Sequence, residues 1–206
     1  MRLARVYPIL DSAAWIERLA GTGVRLVQLR IKERAPGEVA AQIAWARDLC
    51  RRCGIQLVVN DHWQQALEAG CDFVHLGQED LKSADRAALR RAGVRLGIST
   101  HDEAELAAAL AADPDYVALG PIYPTTLKVM PWAPQGLRRI GDWKRRVGSR
   151  PLVAIGGITL ERLPEVFAAG ADSAAVVSDI VTAEDPVARL QGWLAAGQAP
   201  RALKPA

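Results

Sequence analysis

The 206-residue chain has little of several things, and each shortage removes a class of function. Its three cysteines, Cys50, Cys53 and Cys71, are an odd set that makes no disulfide framework. Cys50 and Cys53 form a C-x-x-C, but no second pair accompanies them to close a zinc site. The segment reads as the end of a helix, so the plainer alternative to a redox motif is two semi-buried thiols in a reducing compartment. The three histidines lie far apart in the sequence. No apolar run approaches the roughly 18 residues of a membrane span. Charge of one sign is not in excess: the formal net charge is +3, and the basic residues are scattered, which speaks against nucleic acid as a partner. No Ser-His-Asp set, catalytic cysteine or dinucleotide fingerprint stands out. The first ten residues run straight into a strand pattern without a signal-peptide layout, so a cytoplasmic location is expected.

What is present is a repeating pattern. Half of the residues are hydrophobic. They fall in short runs at 6–10, 26–30, 56–60, 73–76, 95–98, 116–119, 152–155 and 174–177. Between the runs lie helical stretches, often alanine-rich, whose apolar residues recur every three to four positions, as over 39–49 and 104–110. Strands alternating with helices predict a parallel sheet, and eight such units in so short a chain predict closure into a (β/α)₈ TIM barrel. Weak repeats agree: Gly23-Val24-Arg25-Leu26 recurs at 93–96, and Gly70-Cys71-Asp72 resembles Gly170-Ala171-Asp172. Thr100 with Glu103 reads as a capping box. One domain is expected over 1–196, with a frayed tail at 197–206.

In such a barrel, chemistry collects at the carboxyl ends of the strands. After the second run, alternation puts Gln28, Arg30 and Lys32 on one face. A guanidinium fork and an ammonium suit a diphosphate, with a salt-bridge network at the barrel mouth as the alternative. Asn60-Asp61 follows the third run, and His75, Gln78, Glu79 and Asp80 lie around the fourth. Asp61 and Asp80, on adjacent strands, could share one Mg²⁺ together with phosphate oxygens and water, or could be structural. A longer loop from 120 to 136 carries Thr125 and Lys128, and Gly156-Gly157 and Ser178 follow the seventh and eighth runs. In these barrels the last two loops often hold phosphate through backbone N–H groups; a plain tight turn is the alternative for the glycines. His75 and His101 read as structural. The inventory is two anion sites with a possible magnesium between them.

Eight stretches resemble the thiamine-phosphate synthase family: QLRIK at 28–32, ND at 60–61, VHLGQEDL at 74–81, GIST at 97–100, ALGPIYPT at 118–125, MPWAPQGL at 130–137, AIGGI at 154–158 and AVVS at 175–178. They run in family order over nearly the whole chain. The resemblance implies a (β/α)₈ barrel and a magnesium-dependent condensation of 4-amino-2-methyl-5-(diphosphooxymethyl)pyrimidine with 4-methyl-5-(2-phosphooxyethyl)thiazole, releasing pyrophosphate. It implies the pyrimidine diphosphate on Gln28, Arg30, Lys32, Asn60, Ser99 and Lys128, with Arg30, Lys32 and Lys128 as the catalytic cations. It implies Mg²⁺ on Asp61 and Asp80, and the thiazole phosphate on Thr125, Leu127, Gly157, Val177 and Ser178. Small-molecule substrates are then the partners, with neither nucleic acid nor membrane, and a homo-oligomer is possible.

Two positions depart from the family pattern. Leu127 stands where threonine is usual, and Asp179 stands where a small residue is common. An acid beside a phosphate is unfavourable unless it points away or pairs with a cation. Two other readings compete. A thiazole tautomerase would need a proton-transferring group such as His101 and no diphosphate clamp. A non-catalytic barrel would bind thiamine phosphate without turnover.

Overall fold

The computed structural model describes residues 3–125 and 132–198. Eight strands, β1 (Val6–Leu10), β2 (Leu26–Leu29), β3 (Gln56–Asn60), β4 (Phe73–Leu76), β5 (Arg95–Thr100), β6 (Tyr116–Leu119), β7 (Leu152–Ile155) and β8 (Ser173–Val176), close into a barrel in chain order. All neighbours are parallel, and the ring shuts with Val6 opposite Ala174. This is the (β/α)₈ fold that the alternating runs predict.

The helices are α1 (Ala13–Leu19), α2 (Pro36–Cys53), α3 (Trp63–Glu68), α4 (Gln78–Ser83), α5 (Arg86–Arg91), α6 (Glu103–Ala111), α7 (Gly136–Val147), α8 (Leu163–Ala168), α9 (Ser178–Val181) and α10 (Pro186–Gln198). Strand alternation divides the core in two. Outward residues such as Val27, Leu29, Val59, Val74 and Leu76 pack under the helices together with Trp143 and Trp193. Inward residues, including Tyr7, Leu26, Val58, Phe73, Tyr116 and Val153, fill the barrel itself.

The repeats have a physical meaning. Gly23, Gly70, Gly93 and Gly170 all have positive φ just before a strand. The aspartates of the Gly-x-Asp repeat brace strand starts: Asp72 accepts from Gln56 and Arg95, and Asp172 accepts from Lys144 Nζ at 2.7 Å and Leu152 N at 2.9 Å. Helix α10 runs to Gln198, two residues into the segment expected to fray, and 199–206 lie outside the described residues.

Thr100 does not cap a helix. It ends β5 fully buried; its hydroxyl donates to Ala118 O at 2.9 Å and accepts from the Trp143 indole at 2.9 Å. Asp102 caps α6 instead, accepting from Glu105 N at 2.8 Å. Two more rungs of pairing to Ala118 and Leu119 extend β5 to Thr100 and move the helix start downstream.

Candidate active site

The inner wall of the barrel carries a buried polar chain below its mouth. Gln28 Nε2 donates to Tyr7 Oη at 3.0 Å, and Tyr7 Oη meets Tyr116 Oη at 3.0 Å. Tyr116 Oη lies 2.7 Å from His75 Nδ1, and His75 Nε2 lies 2.7 Å from Ser99 Oγ. Burial, reinforced by Arg30, lowers the His75 pKa to about 4, although Asp61 opposes the shift, so the ring is neutral. Burial is also the main force raising both tyrosines above the ordinary phenol range. Each such bond contributes about 0.5–1.5 kcal/mol net, but a member left unpaired costs about 1–3 kcal/mol, so the chain holds only when complete. Gly97 makes room for it: a Cβ there would sit 2.1 Å from the Tyr116 ring.

Above this chain, on the β2–β4 side, lies the charged cluster. Strand β2 stops at Leu29, one residue short of the expected end, so Arg30 and Lys32 stand in the loop above it. Lys32 Nζ pairs with the Asp61 carboxylate. Arg30 makes no ion pair with any described residue. Asp61 has left the strand at φ 62°, and its N–H donates to His75 O at 2.9 Å. Asp61 and Asp80 share a side-chain hydrogen bond. Burial pushes the Asp61 carboxyl up, but the Lys32 bond and charge outweigh it and hold the group low. Burial and the Asp61 charge raise Asp80.

The β6–β8 side holds the backbone-rich half. Ile122 N donates to Ile155 O at 2.9 Å and Tyr123 N to Gly156 O at 2.9 Å, which lays the segment after β6 against the loop after β7. Gly156 and Gly157 have φ of 99° and 64°. Their missing Cβ atoms would collide with Pro121 Cα at 2.6 Å and Pro124 O at 2.4 Å. So glycine is required here by the neighbouring loop as well as by backbone conformation. Arg162 donates to Gly157 O at 2.7 Å and lies over the Tyr123 ring.

Val177 precedes α9, and Ser178 begins it. Asp179 points away from Ser178's end of the mouth, into a clasp. Its carboxylate accepts from Leu160 N at 3.2 Å, Arg189 Nε and Nη2 at 2.9 Å each, and Trp193 Nε1 at 2.6 Å. Thr125 lies on this side, while Leu127 and Lys128 fall in 126–131, outside the described residues. At the far edge of that segment, Trp132 stacks on His101 with ring centroids 4.0 Å apart. His101 Nδ1 is held by Glu105 at 2.7 Å.

Comparison with known proteins decides what this mouth belongs to. A family model described as thiamine monophosphate synthase matches residues 6–180. The thiamine-phosphate synthase of Rhizobium etli is 60% identical over 196 residues, covering 95% of this chain and 96% of that protein. That of Klebsiella pneumoniae is 52% identical over 180 residues, covering 87% of this chain and 85% of its own length. The chain belongs to the thiamine-phosphate synthase family. Among solved structures, the thiamine phosphate pyrophosphorylase of Pyrococcus furiosus superposes with a TM-score of 0.82 at 26% identity, covering 95% of this chain and 96% of that one.

Against the positions that the synthase family resemblance implies, the structure gathers Gln28, Asn60 and Ser99 toward one end of the barrel by strand register, with Asp61 just beyond the end of β3. The Asp61–Asp80 pair suits a synthase magnesium: two carboxylates crowd within bonding distance, with a lysine already answering part of their charge. Among the described residues no group of three His, Cys, Asp or Glu could hold a metal. Sequence reasoning missed Tyr7 and Tyr116 and read His75 as structural without its partners.

Proposed function

We propose that this chain makes thiamine phosphate at the barrel mouth, displacing pyrophosphate from the aminopyrimidine diphosphate by attack of the thiazole phosphate's ring nitrogen. The observation that carries this reading is the division of one mouth into two halves. One half has Gln28, Ser99, Arg30, Lys32, Asp61 and Asp80, and the other has Gly157 and Ser178, which follow β7 and β8. The first half suits a pyrimidine with a diphosphate, and the second suits a monophosphate ester.

The aminopyrimidine delocalises positive charge at its methylene carbon once the C–O bond to pyrophosphate breaks. Such a step asks for positive charge on the leaving group and a shielded cavity, and no strong base. Arg30, Lys32 and Lys128 supply the charge, with Asn60 beside them. Asp61 and Asp80 would hold Mg²⁺, which when bound neutralises diphosphate oxygens. The thiazole nitrogen is already a nucleophile, so Thr125, Leu127, Gly157, Val177 and Ser178 have only to position it. The tautomerase reading is less well supported, because His101 is committed to Glu105 and Trp132.

The test is direct. Purified protein with both substrates and Mg²⁺ forms thiamine phosphate, chelator stops it, and added Mg²⁺ restores it. Asp61→Ala and Asp80→Ala each lose most of the rate, and Lys128→Ala loses about 10²–10³-fold. Full turnover in chelator removes the metal from the reaction. Binding without turnover leaves the non-catalytic barrel.

A further inference from the structure

The buried polar chain has a direction, and the direction has a consequence for substrate choice. The Gln28 amide donates through Nε2 to Tyr7 Oη. With the amide so oriented, Tyr7 donates its own proton to Tyr116 and Tyr116 donates to His75 Nδ1, the one arrangement that then uses every hydroxyl once. A neutral imidazole whose Nδ1 accepts must carry its proton on Nε2. That proton goes to Ser99 Oγ at 2.7 Å. Ser99 has then spent a lone pair on His75, and its own O–H is left to donate. Ser99 is half-buried at the barrel mouth, while His75 and Gln28 are 6% and 2% exposed. At the other end, Gln28 has spent an N–H, and Oε1 remains as an acceptor.

We propose that the chain Gln28–Tyr7–Tyr116–His75–Ser99 fixes the polarity of the pyrimidine site, with an acceptor at Gln28 Oε1 and a donor at Ser99 Oγ, and so selects a 4-aminopyrimidine over its 4-oxo counterpart. An aminopyrimidine offers an exocyclic N–H to an acceptor and a ring lone pair to a donor. The 4-oxo ring turns an oxygen toward the acceptor, where two lone pairs face each other. A site that commits its buried groups in this way rejects the wrong partner far more strongly than one that differs by a methylene. Tyr7, Tyr116 and His75 are positioning residues here, since they act through Gln28 and Ser99.

Three features argue that the chain is built rather than incidental. Its bonds lie between 2.7 and 3.0 Å. His75 stacks on the Tyr116 ring, with the planes 17° apart, which holds Nδ1 toward the hydroxyl. Gly97, paired on one side with His75 and on the other with Tyr116, is the residue whose missing side chain admits that ring. The reverse polarity would need Gln28 turned over, would put the imidazole proton on Nδ1, and would favour the oxo ring.

This inference rests on the pyrimidine placement proposed above, and two measurements separate their failures. The first needs no substrate: long-range ¹H–¹⁵N spectra of protein labelled at histidine, with His75 assigned by its loss in His75→Gln, should show the Nε2–H tautomer. An Nδ1–H tautomer overturns the polarity whatever the protein catalyses. The second compares the 4-amino and 4-oxo pyrimidine diphosphates as substrates. Tyr116→Phe removes the donor to Nδ1 and lets Tyr7 turn its proton toward the amide. We expect kcat/KM for the amino substrate to fall about 10–100-fold, with the preference for it over the oxo substrate shrinking at least tenfold. The KM for thiazole phosphate should stay within about twofold. Tyr7→Phe, which interrupts the same chain one place earlier, should shrink the preference likewise and stands in if Tyr116→Phe does not fold. Unchanged preference in a folded, active variant overturns the proposal. A wild-type protein that makes no thiamine phosphate would instead refute the function, while the tautomer still reports on the chain.

Discussion

Cys50, Cys53 and Cys71 show how far a single residue's surroundings decide its chemistry. Cys53 ends α2 and is exposed, whereas Cys50 and Cys71 are buried. Burial first, and then the neighbouring thiols, push Cys50 up to about 12. Burial raises Cys71 to about 11 despite Arg47 and Arg51 nearby. Since the thiolate is the nucleophile, a C-x-x-C with one member so far above neutrality is a poor redox pair. At pH 8 a disulfide-exchange reagent should label one thiol per chain quickly, and all three only in denaturant. The singly labelled protein should keep its full rate of thiamine phosphate formation. Rapid release of two equivalents would revive the redox reading. Gly97 makes the same point from the opposite side: a residue with no side chain was part of a family motif, but its task, clearing space for a tyrosine 19 positions on, lies outside any local pattern.

Among the elements, α9 and α10 carry the clearest case of a departure compensated nearby. Asp179, one place after Ser178, was flagged by the sequence as an acid where an anion is expected. The structure turns it into a bracket joining α9 to Arg189 and Trp193 on α10 and to the backbone of Leu160 after β7. Asp179→Ala leaves Arg189 half-partnered, with only Glu161 opposite, and leaves the buried Trp193 N–H unpaired. We expect a loss of about 2–4 kcal/mol in denaturant unfolding. The KM for thiazole phosphate should rise several-fold while that for the pyrimidine diphosphate holds, because α9 begins at the side proposed above for the thiazole phosphate. Equal changes in both constants would mean that the bracket supports the whole barrel rather than that loop. The acid itself was legible in the sequence, but its partner was not: ten residues apart on two different helices, Asp179 and Arg189 follow no helical spacing.

At the scale of the whole molecule, strand count and order could be read from the apolar runs, because each run is buried on both faces and each intervening stretch keeps a helical period. Alternation puts Gln28 on one face with Arg30 and Lys32, Asn60 is read from its place at the end of the third run, and Ser99 comes only from the family resemblance. The interior chain follows from none of these, since Tyr7 and Tyr116 meet across 109 residues, and only closure of the barrel brings them together. The same closure has an optical consequence. The chain has three tyrosines, and all are held above the ordinary phenol range. Burial is the first cause in each, and the bond to Glu165 helps bring Tyr123 to about 12. An unfolded tyrosine ionises near about 10. Above that pH the open chain releases protons that the barrel retains, so this contribution to stability is whole below about 10 and fades as pH climbs toward the folded values. A jump to pH 11 should therefore leave the native protein with only a small part of its tyrosinate band in the ultraviolet, from Tyr123. The band should then grow at the rate at which helical circular dichroism disappears. An immediate rise worth a whole phenol or more, with the circular dichroism intact, would show a phenol already open to base. If the two signals coincide, the protein reports its own opening by colour, without any label.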